Sequence, residues 1–386
     1  MLYLYAKYTA RTALKIFSSR LYIGGYDFSQ IEGPIVLAVN HSGSFLDAMM
    51  LGALWNRDIH FLARGDAFKK PLANKLLTAL HNIPIFRLSE GKENLGNNDE
   101  TFERCQEIFR KKGIVLIFAE GLCIHEWKLR PVKKGTARMA LSAWEDKTTE
   151  DLTILPIGVN YSSFHNFDAR IFINVGAPIS AKTVEEAKGM VNPLQVNRVL
   201  TTAMEEQIFH FPNEDATYAA AYAAMLYNAP TTNKDVIHAM GKKLEATPKE
   251  KLSFFPTPGH KAIAWNSTQL IFSFITALIL CIPALAGFLL NAPYYYPVRN
   301  FARKKTRKTV FFGSVFFGLL MITYPYYALI LSALTCIFLG PWGLLGLVVL
   351  PFLGWTVNKF RDSWWRLVNW GKLKKEDREY LRQLFN

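Results

Sequence analysis

Two stretches near the C-terminus stay uncharged for longer than the core helix of a soluble protein requires. Leu270–Leu290 holds 21 residues without a charge, and Val310–Asn358 holds 49, interrupted near Gly340-Pro341. About 20 apolar residues in helical form cross the roughly 30 Å hydrocarbon layer. The first run fits one crossing, and the second is about twice as long. Between them lie Arg299, Arg303, Lys304, Lys305, Arg307 and Lys308. After the second come Lys359 and Arg361, with Trp364, Trp365 and Trp370 placed as an aromatic belt. Basic loops favour the cytoplasmic side. Val310–Asn358 meets that rule as a two-helix hairpin with both flanks inside. Leu270–Leu290 does not if it crosses once, because the six cations then lie outside; a re-entrant or Pro283-broken segment removes the conflict.

The whole chain of 386 residues carries a formal charge of +14, with Lys+Arg 45 against Asp+Glu 31. Such an excess favours an anionic partner. The basic clusters flank apolar segments rather than interleaving with stacking aromatics, so they point to a lipid bilayer and not to nucleic acid. Cys105, Cys123, Cys281 and Cys336 are far apart and show no zinc spacing. They are expected to be reduced thiols, with no structural metal. Met1–Ile23 places Lys7, Arg11 and Lys15 at i, i+4, i+8 among Leu, Tyr, Ile and Phe, which reads as an interfacial amphipathic helix.

Between Gly33 and about Phe211, short apolar runs alternate with helical periodicity. Ile35–Val39, Ile59–Ala63, Ile83–Phe86, Ile114–Phe118, Thr153–Val159 and Arg170–Val175 read as strands. Asp47–Trp55, Pro71–His81, Glu100–Lys112, Lys133–Trp144 and Leu194–Phe211 read as helices. The alternation predicts an α/β sheet with helices outside it. The expected organisation is a helix over 1–25, a catalytic domain over 26–211, a helical connector over 212–263, a membrane-embedded region over 264–358 and a basic cytoplasmic tail over 359–386.

Polar residues gather where the apolar runs end. Asn40-His41 follow the first, Arg64 the second, Arg87 the third and Glu120-Gly121 the fourth. Carboxyl ends of strands form the ligand crevice of open α/β sheets, so four exits would deliver a base, two cations and a carboxylate to one edge. Asp47 lies six residues beyond His41, off-face for a continuous helix. A loop-to-helix turn at Gly43 could return the carboxylate to the imidazole, fixing its tautomer and leaving the other nitrogen to accept a hydroxyl proton. Ser44-x-x-Asp47 also has the form of a capping box.

Asn40-His41-Ser42-Gly43-Ser44-Phe45-Leu46-Asp47 resembles the His-containing first motif of the glycerolipid (phospholipid) acyltransferase superfamily. Its five residues between His and Asp, one more than in most members, resemble the glycerol-3-phosphate/dihydroxyacetone-phosphate acyltransferase branch. Phe61–Phe68, Ile83-Pro84-Ile85-Phe86-Arg87, Phe118-Ala119-Glu120-Gly121, Leu129–Arg138, Leu155–Tyr161 and Val175–Ile179 follow in the branch's order. The likeness covers residues 30–180. It departs from the usual Phe-Pro-Glu-Gly-Thr at Ala119 and Leu122, which weakens any inference about the acceptor.

The resemblance implies a mixed, largely parallel sheet flanked by helices, with the N-terminal amphipathic helix and C-terminal membrane-embedded helices attached. It implies an integral membrane enzyme with its catalytic domain on the cytoplasmic side. It further implies His41 as base and Asp47 as its orienter. Arg87 would grip the acceptor phosphate, and Glu120 would hold a glycerol hydroxyl or orient Arg87. Gly121 would admit the backbone. Asn40, Arg64 and Lys134 join the substrate-binding set, with Arg130, Lys133 and Arg138 as further phosphate candidates or simply a solvated basic face. The donor would be an acyl thioester of CoA or acyl carrier protein, the acceptor a phosphorylated glycerol or lysolipid, and no cofactor is called for. Acceptors such as lysophosphatidate or an amino-acid lysolipid stay open, as does a non-catalytic membrane scaffold.

Overall fold

The computed structural model describes every residue except 18–19, 87–96, 165–167, 214, 256–261, 307–308 and 386. The chain begins with α1 (Leu2–Phe17) and β1 (Leu21–Gly25). The alternating region follows as β2 (Ile35–Val39), α2 (Phe45–Leu54), β3 (Ile59–Arg64), α3 (Pro71–Ala79), β4 (Asn82–Ile85), α4 (Asn97–Arg110), β5 (Ile114–Phe118), α5 (Gly135–Trp144), β6 (Thr153–Tyr161), β7 (Ile171–Val175), α6 (Ala181–Lys188) and α7 (Pro193–Glu205). The seven strands form one sheet in the order β1-β7-β6-β2-β5-β3-β4. β2 pairs in parallel with β5 and β6, and β3 in parallel with β4 and β5. Ser162 N–H donates to Arg170 O and Gly176 N–H to Pro156 O, a pattern that runs β7 antiparallel to β6. The sheet is therefore mixed and largely parallel, flanked by helices.

β2 and β5 sit in its middle and are apolar without alternation, because helices cover both faces. One face packs Val36, Ala38, Val115 and Ile117 against Cys105 and Phe109 of α4, Met139 and Ala143 of α5, and Leu200 and Met204 of α7. Since β2, β3, β4 and β5 run in parallel, their carboxyl ends share one edge. None of the four cysteines is in a disulfide.

The N-terminal helix is shorter than its composition predicts. It stops at Phe17, and Leu21–Gly25 is the edge strand. Gly25 adopts φ 96°, and a Cβ there would lie 2.0 Å from Val175 O, so only glycine allows β1 to close on β7. Lys7 and Arg11 do not face outward either. Lys7 is buried and donates to Asn56 O, Arg57 O and Asp58 Oδ1; Arg11 donates to Leu54 O and Asn56 Oδ1. These cations satisfy carbonyls at the C-terminal end of α2, where positive charge is favoured. The exposed face of α1 is instead Leu2, Leu4, Tyr5 and Tyr8.

By contact density the chain divides into two units, the first comprising residues 1–12, 21–160 and 172–210, the second 13–20, 161–171 and 211–386. The second contains α8 (Ala216–Asn228), α9 (Lys234–Glu245), α10 (Ser267–Thr306), α11 (Phe312–Leu339), α12 (Gly346–Lys372) and α13 (Lys375–Phe385). α10 runs unbroken through Pro283, so the expected interruption is not at that proline. At about 1.5 Å per residue, its 40 residues span roughly 60 Å. Gly340, at φ 57°, ends α11 and opens the short 3₁₀ turn Gly340–Leu345 before α12, where the sequence predicts a hairpin. The most apolar windows of these long helices are only 22% and 11% buried within the molecule. A soluble protein does not leave that much apolar helix uncovered. The helices associate with membrane.

Candidate active site

His41 follows the end of β2, and the chain then turns sharply into α2. Positive φ falls on Ser44, at φ 59° and ψ −147°, and not on Gly43. The turn returns Asp47, in the first turn of α2, to His41. Asp47 Oδ2 lies 3.1 Å from His41 Nδ1 and accepts the Gly43 N–H at 2.8 Å. Asp47 is 0% exposed while the His41 side chain is 13% exposed, so the carboxylate is sealed and the imidazole remains within reach. The helix N-terminus offsets part of the cost of burying that carboxylate. Ser44 makes no side-chain cap hydrogen bond, and its Oγ is buried with no partner among the described residues. The Ser44-x-x-Asp47 pattern thus serves the imidazole and does not form a capping box.

A second element fixes the ring. Phe118, last residue of β5, stacks on His41 with centroids 3.6 Å apart and planes 16° from parallel. β2 and β5 bring them together through the Val39–Phe118 register and the Ala119 N–H donated to Val39 O at 2.9 Å. The Ile124 N–H donates to His41 O at 3.2 Å. Motif reading gave Phe118 no role; only the strand register reveals it.

The remaining predicted residues separate into groups. Glu120 follows the same β5 exit, is buried, and receives a backbone hydrogen bond from Arg130. Burial pushes its carboxyl up to about 7; Asp47 adds to the rise, and Arg130 opposes it. Gly121 takes φ 68°, a conformation suited to glycine beside Lys133. His41, Asp47, Glu120 and Gly121 are therefore brought together. The Asn40 side chain, expected to contact substrate, is buried, donating to Val159 O at 3.1 Å and accepting Val159 N–H at 2.7 Å. It continues the β2–β6 ladder where the backbone alone would stop. Arg64 is exposed at the end of β3 and pairs with Asp66. Lys134 is exposed at the N-terminus of α5, as are Lys133 and Arg138 nearby, whereas Arg130 is engaged by both oxygens of Glu126. Arg87 lies outside the described residues.

Among the described residues, no cluster of three His, Cys, Asp or Glu could hold a metal ion. A cavity of about 220 Å³ lined by His60, His81, Arg104 and Glu107 does not include His41.

Residues 20–160 match the family model described as Acyltransferase. The chain is similar to glycerol-3-phosphate O-acyltransferase 2 of Saccharomyces cerevisiae, with 32% identity over 106 residues, 28% of this chain and 14% of the yeast protein. A Caenorhabditis elegans protein named as a 1-acyl-sn-glycerol-3-phosphate acyltransferase is 26% identical over 154 residues, 39% of this chain and 50% of that one. The matches thus span half or less of these relatives' lengths. The crystal structure of PlsC, the 1-acyl-sn-glycerophosphate (LPA) acyltransferase of Thermotoga maritima, aligns at TM-score 0.38 and 15% identity, over 53% of this chain and 76% of that one.

Proposed function

We propose that the protein is a membrane-bound O-acyltransferase that moves a fatty acyl group from a thioester of CoA or acyl carrier protein to a hydroxyl of glycerol-3-phosphate or lysophosphatidate. The observation that carries this reading is the His41–Asp47 pair, a partly exposed imidazole held at 3.1 Å by a fully buried carboxylate. Asp47 accepts from Nδ1–H, which leaves Nε2 as the base. Nε2 takes the acceptor hydroxyl's proton as the oxygen attacks the thioester carbonyl. Collapse of the tetrahedral oxyanion expels the thiolate, which recovers that proton from the imidazolium. Stacking on Phe118 and bonding to Asp47 leave the ring little freedom, so its orientation is set before substrate arrives.

Glu120, with a carboxyl near 7, can donate to or accept from a glycerol hydroxyl. Arg64 and Lys134 are exposed cations suited to drawing in a phosphate, and Arg87 is its proposed fork-like clamp. The substrates explain the bilayer: each buried methylene contributes about 0.8 kcal/mol, so an acylated product stays in lipid. In this reading the catalytic domain faces the cytoplasm. The test supplies one labelled acyl thioester with a mixture of acceptors and identifies products by mass spectrometry. Labelled phosphatidate or lysophosphatidate is expected. Equal rates on phosphorylated and phosphate-free acceptors would remove the phosphate from this reading, and exclusive labelling of an amino-acid lysolipid would move the acceptor to that class.

A further inference from the structure

Where α12 passes from uncharged residues into charged ones, it meets segments of the second unit that are remote in sequence. Asp362 accepts from Tyr227 OH at 2.8 Å through Oδ1 and pairs with Arg20 through Oδ2. The Arg20 guanidinium also lies over the Tyr227 ring, 4.5 Å from its centroid. Arg361 pairs with Asp168 and lies 3.8 Å from Asp362 Oδ1. Lys359 and Arg366 are both within electrostatic reach of Arg20 and Asp362. Among the described residues, the cluster therefore sets Arg20, Lys359, Arg361 and Arg366 against Asp168 and Asp362. Both carboxylates are engaged by Arg20, Arg361 and Tyr227, and Arg366 Nε is buried with no hydrogen-bond partner among the described residues.

That excess is not at a freely solvated surface. The Arg20 and Asp362 side chains are 19% and 12% exposed, so water screens this pair weakly, whereas Arg361 and Asp168, at 39% and 29%, open the cluster to an approaching anion. Uncompensated charge in such a place is costly unless an anion completes it. The location identifies the source of the anion. Lys359 directly follows Asn358, last residue of the uncharged run, and Trp355 and Trp364 are exposed on either side. Tryptophans and cations at the end of an apolar helix mark the headgroup layer. A diffuse basic patch would be exposed and free of carboxylates; here fixed acids hold Arg20 and Arg361 in place and leave Lys359 and Arg366 to act.

We propose that this cluster is a discrete site for the phosphate of one anionic lipid of the bilayer, held by the Lys359 ammonium and the Arg366 guanidinium. The site rests on the membrane association of α12 and not on acyl transfer.

The test titrates phosphatidylglycerol into the full-length protein in neutral detergent and follows lipid adducts by native mass spectrometry, without acyl donor. Lys359→Gln/Arg366→Gln is compared with Lys304→Gln/Lys305→Gln, which removes the same charge from exposed positions on α10. The first pair is expected to weaken adduct formation roughly tenfold or more, and the second to leave it within about twofold. Equal losses would mean diffuse attraction and would overturn the site, as would an undiminished Lys359→Gln/Arg366→Gln protein. Inorganic phosphate competing as well as the lipid would assign the cluster to free phosphate and overturn the lipid source. Should the first double variant fold poorly, Arg366→Lys keeps the charge but loses the fork. It is expected to bind more weakly than wild type at unchanged melting temperature, and wild-type binding would again count against the site.

Discussion

Ser44 holds the backbone at φ 59° and ψ −147°, a conformation that costs a non-glycine residue about 1–3 kcal/mol. The turn that returns Asp47 to His41 is bought with that strain. Ser44→Gly is expected to raise stability by about 1 kcal/mol, since glycine relieves the strain at some cost in unfolded-chain entropy. Activity should survive, because Ser44 Oγ has no hydrogen-bond partner among the described residues; thermal unfolding and an acyl-transfer assay check both. Asn40→Ala should instead unpair two buried backbone groups of Val159, at about 1–3 kcal/mol each, lowering the melting temperature more than it alters acceptor affinity. Glu120 gives a pH signature. Its folded carboxyl lies near 7, above the ordinary 4.5, so the native state holds its proton longer than the unfolded chain. Stability is full below the ordinary value and is lost as pH rises toward 7, by at most about 3 kcal/mol. Glu120→Gln should flatten the melting temperature between pH 5 and 8 while impairing transfer; an unchanged slope would contradict the burial account. At this scale the pairing of His41 with Asp47 was legible because residue types and spacing carried it. The stacking of Phe118 and the structural use of Asn40 were not, because both arise from strand register, which no local window contains.

Among the elements, β2 and β5 were readable to the residue, since fully buried parallel strands leave unbroken apolar runs. β1 was not: five residues became a strand only by pairing with β7, and their amphipathic look extended the helix before them. α6 was also overlooked, although Ser180 and Thr183 form a reciprocal capping box and Gly189 closes the helix at φ 72°; its eight residues are too few for a clear period. The cations of α1 were assigned to lipid because periodicity shows a polar face without showing what lies against it. Lys7 and Arg11 cap α2, and Tyr3 stacks on His81, which stacks on His60. Burial holds both imidazoles below the ordinary 6.5, with Lys7 and Arg104 acting in the same direction and Asp58 opposing. Their contribution is complete above that value and is lost as pH falls below it. Protection of the α1 amides against hydrogen exchange should therefore fall below about pH 6, and His81→Phe should reduce that fall, His60 carrying the remainder. In the second unit, a Cβ at Gly287 of α10 would lie 2.3 Å from Leu353 O of α12. Gly287→Ala should cost about 1–3 kcal/mol in detergent by forcing these helices apart.

For the whole molecule, composition located the membrane-associated region because long uncharged helices have few other uses, and the poor internal burial of α10 to α12 agrees. The course of α10 was less legible: Pro283 suggested a break, yet a helix tolerates proline where neighbouring groups satisfy the freed carbonyl. The protein should stay with membranes through high salt and alkaline washing and be released only by detergent. The most direct test of the catalytic account measures acyl transfer by wild-type, His41→Ala and Asp47→Asn proteins reconstituted in lipid at equal folded amounts. His41→Ala should lower kcat by about two to four decades, and Asp47→Asn should lower kcat with little change in KM for the acceptor. Wild-type kcat in the His41→Ala protein would contradict the account at its centre.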